Sequence, residues 1–274
     1  MGVPYAEVIG DPIAHSKSPL IHKFWLDKLG FEYDFRRTLV AADQLSGFLL
    51  RRREDPDWRG CSVTIPHKEA ILPLMDECRI WGVEAVNCVV PEQGRLIGHN
   101  TDMTGAGKAV TEGVETSAPV CVIGAGGAAR AAVAALDILA VYQFNVIARD
   151  LPKARPLVEP YREYGRVFGF DSAAEAMHDC VGLINCSPLG MDGFDPIPES
   201  ILDSLHLLRR DGFVFDMVYA PVQTELLRRA AGLGLRTVDG LDMLVSQAEH
   251  AFELFFGHSP PPAHEAELRE LLTR

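Results

Sequence analysis

The chain has 274 residues, 47% of them hydrophobic and 23% charged, with a formal net charge of -12. That is enough apolar material for one large or two ordinary cores, and the acidic balance argues against a nucleic acid or an anionic membrane surface as partner. No run reaches the roughly 18 apolar residues of a membrane span and the N-terminal Met-Gly-Val-Pro lacks a basic flank, so a cytoplasmic protein is the expectation. Six cysteines, at 61, 78, 88, 121, 180 and 186, fall singly with no Cys-x-x-Cys pair, which predicts reduced thiols, mostly in apolar strand-like surroundings, and no metal site.

Tyr5 to Ile9 alternates like a strand and leads into Asp11-Pro-Ile-Ala-His-Ser-Lys-Ser-Pro. Ser18 before Pro19 has the pattern of an N-cap and a first helical residue. Ile21, Phe24, Trp25 and Leu29 supply an apolar stripe, and Gly30 closes the predicted helix. The hydroxyls of Ser16 and Ser18 then stand where a helix N-terminus presents unpaired N–H groups, a site of carboxylate size; taken alone, the segment is equally well explained by an ordinary cap. A second strand and helix are predicted over Tyr33 to Val40 and Asp43 to Arg53. Ser62 to Ile65 is strand-like, Pro66 suits a first helical position, and Lys68 falls in the first turn. A lysine there opposes the helix dipole. For a structural residue that costs a few tenths of a kcal/mol, whereas for a catalytic one it lowers an amine pKa from about 10.4 toward working pH; surface lysine is the commoner case.

Glu84 to Val90 and Arg95 to Gly98 read as strands about a Pro91 to Gly94 turn, with Asn87 inside an apolar run and in need of partners such as nearby backbone. A helix is predicted after Gly98, capped by Asn100 or Thr101, with Asp102 in its first turn, a placement that capping alone explains. From Ala118 strand and helix alternate regularly: strand 120–123, helix 128–140, strand 143–148, then strand-like runs near 166–170, 181–185, 213–216 and 235–238. That is the pattern of a parallel doubly wound sheet. Its first strand ends in Gly-x-Gly-x-x-Ala, with Gly124 for a tight turn, Gly126 for backbone approach to a pyrophosphate and Ala129 for close helix packing. Alone this is a common strand-to-helix turn; within the alternation it points to a dinucleotide.

Pro156 and Pro160 predict a broken helix over 151–160, since each costs roughly 3 kcal/mol in a helix interior. Ala148-Arg149-Asp150 lies about twenty residues past Ala129, where an NAD site carries an acid and an NADP site a basic group. Arg149 suits a 2′-phosphate; Asp150 suits either a ribose hydroxyl or the cap of the next turn. The turns Asn185-Cys-Ser-Pro-Leu-Gly-Met and Asp216-Met-Val-Tyr-Ala-Pro follow later strands, where ligands of open parallel sheets bind. Leu241, Leu244, Val245, Ala248 and Phe252 mark a long helix with Gln247 at its margin, a position that is usually solvated, and Pro260 to Pro262 separate it from a short last one.

Taken in order, His-Ser-Lys-Ser-Pro (15–19), Val-Thr-Ile-Pro-His-Lys (63–68), Ala-Val-Asn (85–87), Asn-Thr-Asp (100–102), Gly-Ala-Gly-Gly-Ala-Ala-Arg (124–130), Ser-Pro-Leu-Gly-Met (187–191), the Asp216 to Pro221 turn and Gly240-Leu-Asp-Met-Leu-Val-Ser-Gln resemble the shikimate dehydrogenase family across nearly the whole chain. The resemblance implies an α/β fold: an N-terminal α/β substrate-binding domain over 1–101 with returning helices from 240–274, and a Rossmann-like doubly wound dinucleotide-binding domain over 102–239. It implies an oxidoreductase that reversibly reduces 3-dehydroshikimate to shikimate with NADPH, in chorismate and aromatic amino acid biosynthesis. Lys68 and Asp102 would be the catalytic pair, and Ser16 and Ser18 would hold the substrate carboxylate. Thr64, Asn87, Tyr219 and Gln247 would bind its hydroxyls or line its pocket. Gly124, Ala125, Gly126, Gly127, Ala128, Arg149, Met217 and Gly240 would contact the cofactor. No metal, nucleic acid or membrane partner is implied, and both monomer and homodimer stay open.

The implied chemistry is consistent with these residue types. Hydride reaching a ketone carbon leaves alkoxide charge, which needs a proton donor within about 3 Å. Lys68 suits that role, with Asp102 stabilising its ammonium form, as a coupled pair. Ser62 stands where the family has the asparagine of Asn-Val-Thr, Lys23 where asparagine often follows the histidine, and Cys88 where threonine follows Asn87. Ala148 and Asp150 interrupt the Asn-Arg-Thr common at the NADP phosphate. Asp150 would repel a 2′-phosphate unless it points away, while Arg149 favours one, so NADP is expected with NAD as the alternative. Asp150 and Ser62 leave open an NAD-dependent quinate/shikimate relative, and another hydroxy acid also stays open as substrate. A catalytically silent dinucleotide sensor would retain the glycine turn but would have no use for Lys68.

Overall fold

The structure, a computed structural model, describes residues 2–80, 83–111, 118–141, 143–161 and 163–273. The chain divides into two units, Met1–Thr101 with Val245–Arg274, and Asp102–Leu244.

The first unit runs β1 (Tyr5–Gly10), α1 (Ser18–Leu29), β2 (Asp34–Leu39), α2 (Leu45–Arg53), β3 (Trp58–Val63), α3 (His67–Ala70), β4 (Glu77–Arg79), β5 (Cys88–Glu92) and β6 (Arg95–His99). Its sheet has the order β2-β1-β3-β5-β6-β4. β1 is parallel to β2 and β3, and β5 is antiparallel to β3 and β6. Every residue of β1 is buried, Glu7 included. A carboxylate there needs a partner, and Arg52 supplies one at 2.6 Å, with the Thr38 hydroxyl donating as well.

The predicted Pro91 to Gly94 turn is narrowed by the structure. Pro91 lies inside β5, and the hairpin turns at Gln93 and Gly94, whose φ values of 52° and 78° are those of a two-residue turn between twisted strands. The β3–β5 ladder ends at Val89, so at Pro91 the strand has β6 as its one neighbour and the missing N–H leaves no gap in a second ladder.

The second unit runs α4 (Asp102–Thr111), β7 (Val120–Ile123), α5 (Gly127–Ile138), β8 (Phe144–Ile147), α6 (Leu151–Val158), β9 (Gly165–Phe168), α7 (Ala173–Met177), β10 (Gly182–Asn185), α8 (Glu199–Asp203), β11 (Phe213–Asp216), α9 (Glu225–Gly232) and β12 (Arg236–Val238). All of its strands are parallel, in the order β12-β11-β10-β7-β8-β9, the doubly wound arrangement whose strand order reverses between β7 and β10. Alternate residues pack on opposite faces. Val120, Val122, Phe144, Val146, Ile184, Phe213 and Phe215 join one core, while Cys121, Ile123, Ile147, Leu183 and Val214 join the other. Helices cover both faces, which is why these strands read as unbroken apolar runs.

α6 continues through Pro156 to Val158 and gives way to a 3-10 turn over Glu159–Tyr161, so the expected break comes later than Pro156. Pro156 sits in the second turn, where it removes the single bond to the Pro152 carbonyl. α10 (Gly240–Phe256) carries the division between the units at Leu244, and α11 (Glu265–Thr273) follows. In the first unit the buried His22 ring of α1 lies flat on Phe35, with centroids 3.9 Å apart, and packs against Phe252 of α10. Neither ring nitrogen has a hydrogen-bond partner among the described residues, and burial holds the imidazole down at about 3. All six cysteines are free thiols. Cys78, on β4, is exposed, an exception to the apolar setting expected of most of them. Among the described residues no helix is long and apolar enough to cross a membrane.

Candidate active site

In the first unit, α1 begins one residue earlier than the capping pattern predicts. Lys17 is the cap residue, Ser18 the first helical residue and Pro19 the second, and no side chain caps the helix. The Ser18 hydroxyl is therefore not a cap. Ser16 Oγ instead accepts the Ser18 N–H at 3.3 Å and donates to Ser18 Oγ at 3.3 Å, while Arg37 of β2 donates to the Ser16 carbonyl at 2.6 Å. Both serines are 7% exposed and stand together at the end of a twelve-residue helix. The contact from Arg37 to the Ser16 carbonyl is long-range and is contained in no local pattern.

Lys68 lies on α3, a single turn that could not persist alone. Its anchors are visible. The buried His67 ring holds the Val40 carbonyl through Nε2 at 2.7 Å, Ile71 just after the turn is fully buried, and the Val86 N–H donates to the Lys68 carbonyl at 2.8 Å. So short a helix sums little macrodipole, and the dipole argument for Lys68 drops out. Thr64 is half-buried, its N–H bonded to the Ile9 carbonyl at 3.0 Å.

Asn87 is 3% exposed and finds its partners in Thr101: Nδ2 donates to Thr101 Oγ1 at 2.9 Å, and Oδ1 accepts the Thr101 N–H at 2.6 Å. Thr101 Oγ1 also lies 3.4 Å from Gln247 Oε1 of α10, so Gln247 is half-buried in this cluster rather than solvated. Thr101 was singled out by sequence only as a possible cap. Asp102 follows it as the first residue of α4, 5% exposed, and belongs to the second unit.

In the second unit the glycine turn has the features a pyrophosphate needs. Gly124 has φ 113°, closed to ordinary side chains, and its N–H is held by the Ile147 carbonyl at 2.9 Å. Gly126 is the cap residue of α5 with no side-chain cap bond, and a Cβ built there would project into open space. The N-terminus of a twelve-residue helix thus begins without a side-chain cap. Ala125, Gly127 and Ala128 are half-buried around it, and Ala129 is fully buried against the sheet. These residues fit a dinucleotide.

At the end of β8, Asp150 accepts the Lys153 N–H at 3.0 Å and caps α6. Of its two predicted roles the structure shows the cap. Arg149 is 81% exposed, and its Nη1 lies 3.9 Å from Asp195 Oδ2.

The ends of β10 and β11, where the sequence places ligand-binding turns, are joined by a buried polar cluster that the sequence does not predict. Asn185 Nδ2 donates to Asp216 Oδ1 at 2.9 Å and to the Leu189 carbonyl at 3.1 Å, and its Oδ1 accepts from Ser187 Oγ at 2.7 Å. Asp216 also accepts from the Val218 N–H at 3.0 Å and from Thr224 Oγ1 at 2.7 Å. Asparagine and aspartate each closing an apolar run were the available signal. Burial lifts the Asp216 carboxyl to about 6 against its ordinary 3.8. Burial also pushes the Cys186 thiol up, and the Asp216 and Asp102 carboxylates add to that. Met217 and Tyr219, both half-buried, follow Asp216, and burial raises the Tyr219 phenol. Gly240 opens α10 beneath them: a Cβ there would stand 2.5 Å from the Met217 carbonyl oxygen, so only glycine lets the helix start that close.

Residues 8–89 match the family described as shikimate dehydrogenase substrate binding domain, and residues 240–264 match shikimate 5'-dehydrogenase C-terminal domain. A protein named shikimate dehydrogenase (NADP(+)) from Sphingopyxis alaskensis is 48% identical, with 98% of this chain and 97% of that one covered. Among solved structures, shikimate 5-dehydrogenase from Thermus thermophilus in complex with NADP(H) and shikimate is 32% identical, with a TM-score of 0.83 over 98% of this chain and 100% of that chain. Quinate dehydrogenase from Corynebacterium glutamicum in complex with NAD is 28% identical, with a TM-score of 0.83 over 98% and 99%. A doubly wound sheet with a glycine cradle, a serine pair at a helix start and relatives matching from end to end place this chain in the shikimate dehydrogenase family.

Proposed function

We propose that the protein is an NADP-dependent shikimate dehydrogenase that interconverts 3-dehydroshikimate and shikimate in aromatic amino acid biosynthesis. Near-full-length identity to a shikimate dehydrogenase (NADP(+)) carries the activity, and the engagement of Asp150 in capping α6 supports the choice of cofactor. The first unit binds the acid and the second the dinucleotide. Ser16 and Ser18 hold the substrate carboxylate, and Thr64, Asn87, Tyr219 and Gln247 bind its hydroxyls or line its pocket. Gly124 to Ala128 receive the pyrophosphate, Met217 and Gly240 border the cofactor, and Arg149 takes the 2′-phosphate. The bound nicotinamide supplies or accepts the hydride. Lys68 gives a proton to the oxygen on which charge develops, and takes it back in the reverse direction. Asp102 is the second member of the catalytic pair that the family resemblance implies.

The test is nicotinamide absorbance with shikimate or quinate and NADP+ or NAD+, in all four combinations. Rapid reduction with shikimate and NADP+ alone is expected; a preference for quinate or for NAD+ would replace this reading with a quinate/shikimate dehydrogenase, and silence in all four would remove the activity. Changing Ser16 and Ser18 together to alanine is expected to raise KM for shikimate by about ten- to a hundredfold, the loss of one or two hydrogen bonds to a charged group. An unmoved KM would place the carboxylate elsewhere.

A further inference from the structure

We propose that Asp195 sets how strongly this enzyme prefers the phosphorylated dinucleotide, because its carboxylate competes with the 2′-phosphate for Arg149. The inference rests on the assignment of Arg149 to that phosphate. Arg149 Nη1 lies 3.9 Å from Asp195 Oδ2, and the two side chains are 81% and 79% exposed. Both charges are therefore hydrated, and their attraction is worth no more than an exposed ion pair. The backbone that carries the acid is nonetheless held in place. The Asp195 carbonyl accepts the Gly190 N–H at 2.8 Å, Phe194 N–H bonds the Met191 carbonyl at 3.0 Å, and Asp192 N–H bonds the Ala220 carbonyl at 2.8 Å, so the loop after β10 is pinned at several points. Asp150, the other acid beside Arg149, is committed to the Lys153 N–H. Asp195 is thus the carboxylate that an arriving phosphate must displace, and whose repulsion it then feels. A dinucleotide with a free 2′-hydroxyl carries no charge at that position and is indifferent to it.

Dissociation constants of NADP+ and NAD+, measured by quenching of intrinsic fluorescence at low salt for the native protein, Asp195→Asn and Arg149→Ala, test this without turnover. Asp195→Asn is expected to bind NADP+ about two- to fivefold tighter, the scale of one exposed charge pair, with NAD+ unchanged. The gain should vanish near 1 M salt, where the Debye length is about 3 Å. Asp195→Glu is expected to restore native selectivity. A carboxylate that instead orients Arg149 would make Asp195→Asn weaker for NADP+, and that result overturns the proposal, as does an equal shift for both dinucleotides or none. The Arg149→Ala arm separates the two claims. Selective loss of NADP+ there, with no gain in Asp195→Asn, rejects Asp195 alone, whereas equal loss of both dinucleotides rejects the phosphate role of Arg149 on which it rests.

Discussion

Lys68→Met is expected to lower kcat by about two to four orders of magnitude, the range general acid–base groups contribute, while NADP+ binds as before. Methionine keeps most of the side-chain stem and removes the ammonium. The fold should survive the change because α3 is held by the His67 ring, the buried Ile71 and the backbone bond from Val86 to the Lys68 carbonyl, none of which uses the Lys68 side chain. An unchanged melting temperature would show this. With folding and cofactor binding intact, the kcat ratio reports the proton donor alone. A kcat within threefold of the native enzyme would take Lys68 out of the chemistry and leave the family resemblance without its acid.

The second large effect is on stability. Asp216→Ala leaves three donors, Asn185 Nδ2, the Val218 N–H and the Thr224 hydroxyl, without their acceptor in a fully buried site, at a cost of about 3 kcal/mol or more. Asp216→Asn should behave differently. Its carbonyl still accepts from Asn185 and Val218, and its amide faces Thr224 Oγ1, so about 1 kcal/mol or less is lost at neutral pH. The two variants also separate a titration. The folded carboxyl sits at about 6 against 3.8 for the ordinary group, so the folded state binds the extra proton between those values. Its contribution to stability is fully present below 3.8 and is lost as pH rises through about 6, a span of about 3 kcal/mol at most. Asp34 and Asp55, whose carboxyls are held low by Arg36 and Lys23 and by the Tyr5 hydroxyl respectively, act in the opposite sense. The readout is therefore the difference between native protein and Asp216→Asn in urea midpoints from pH 4 to 8. That difference should shift in favour of the native protein as pH falls, and a flat difference would assign the titration to another group.

The turn at Gly124 was readable because everything it needs is local: a strand of four apolar residues, a glycine that accepts φ 113°, and a helix that starts three residues on. The alternation of strand and helix from Val120 to Val238 was readable for the same reason, since covering both faces of a parallel sheet leaves a period and a composition in each segment. Gly30 as the left-handed end of α1 belongs with them.

Local rules left three positions undecided or misplaced. Ser18 has the residues of an N-cap, yet the helix starts one position early, with the Ser16 hydroxyl on the Ser18 N–H and Arg37 holding the Ser16 carbonyl from β2. Pro91 reads as a turn residue, yet it sits in a strand because the β3 ladder has already ended. Asp150 has two plausible partners by sequence, and the geometry of α6 selects the Lys153 N–H.

Sequence by itself therefore determined the family, the doubly wound sheet, the glycine cradle and the residue types able to bind an acid and move a proton. Each is written in spacings of a few residues, the range over which φ preferences, caps and strand alternation act. Tertiary structure alone decided which polar groups meet: Asn87 with Thr101 across 14 residues and Asn185 with Asp216 across 31. The reason is that a buried polar atom must be paired wherever the folded chain brings a partner, and loop closure over such distances leaves no local trace in the residues between.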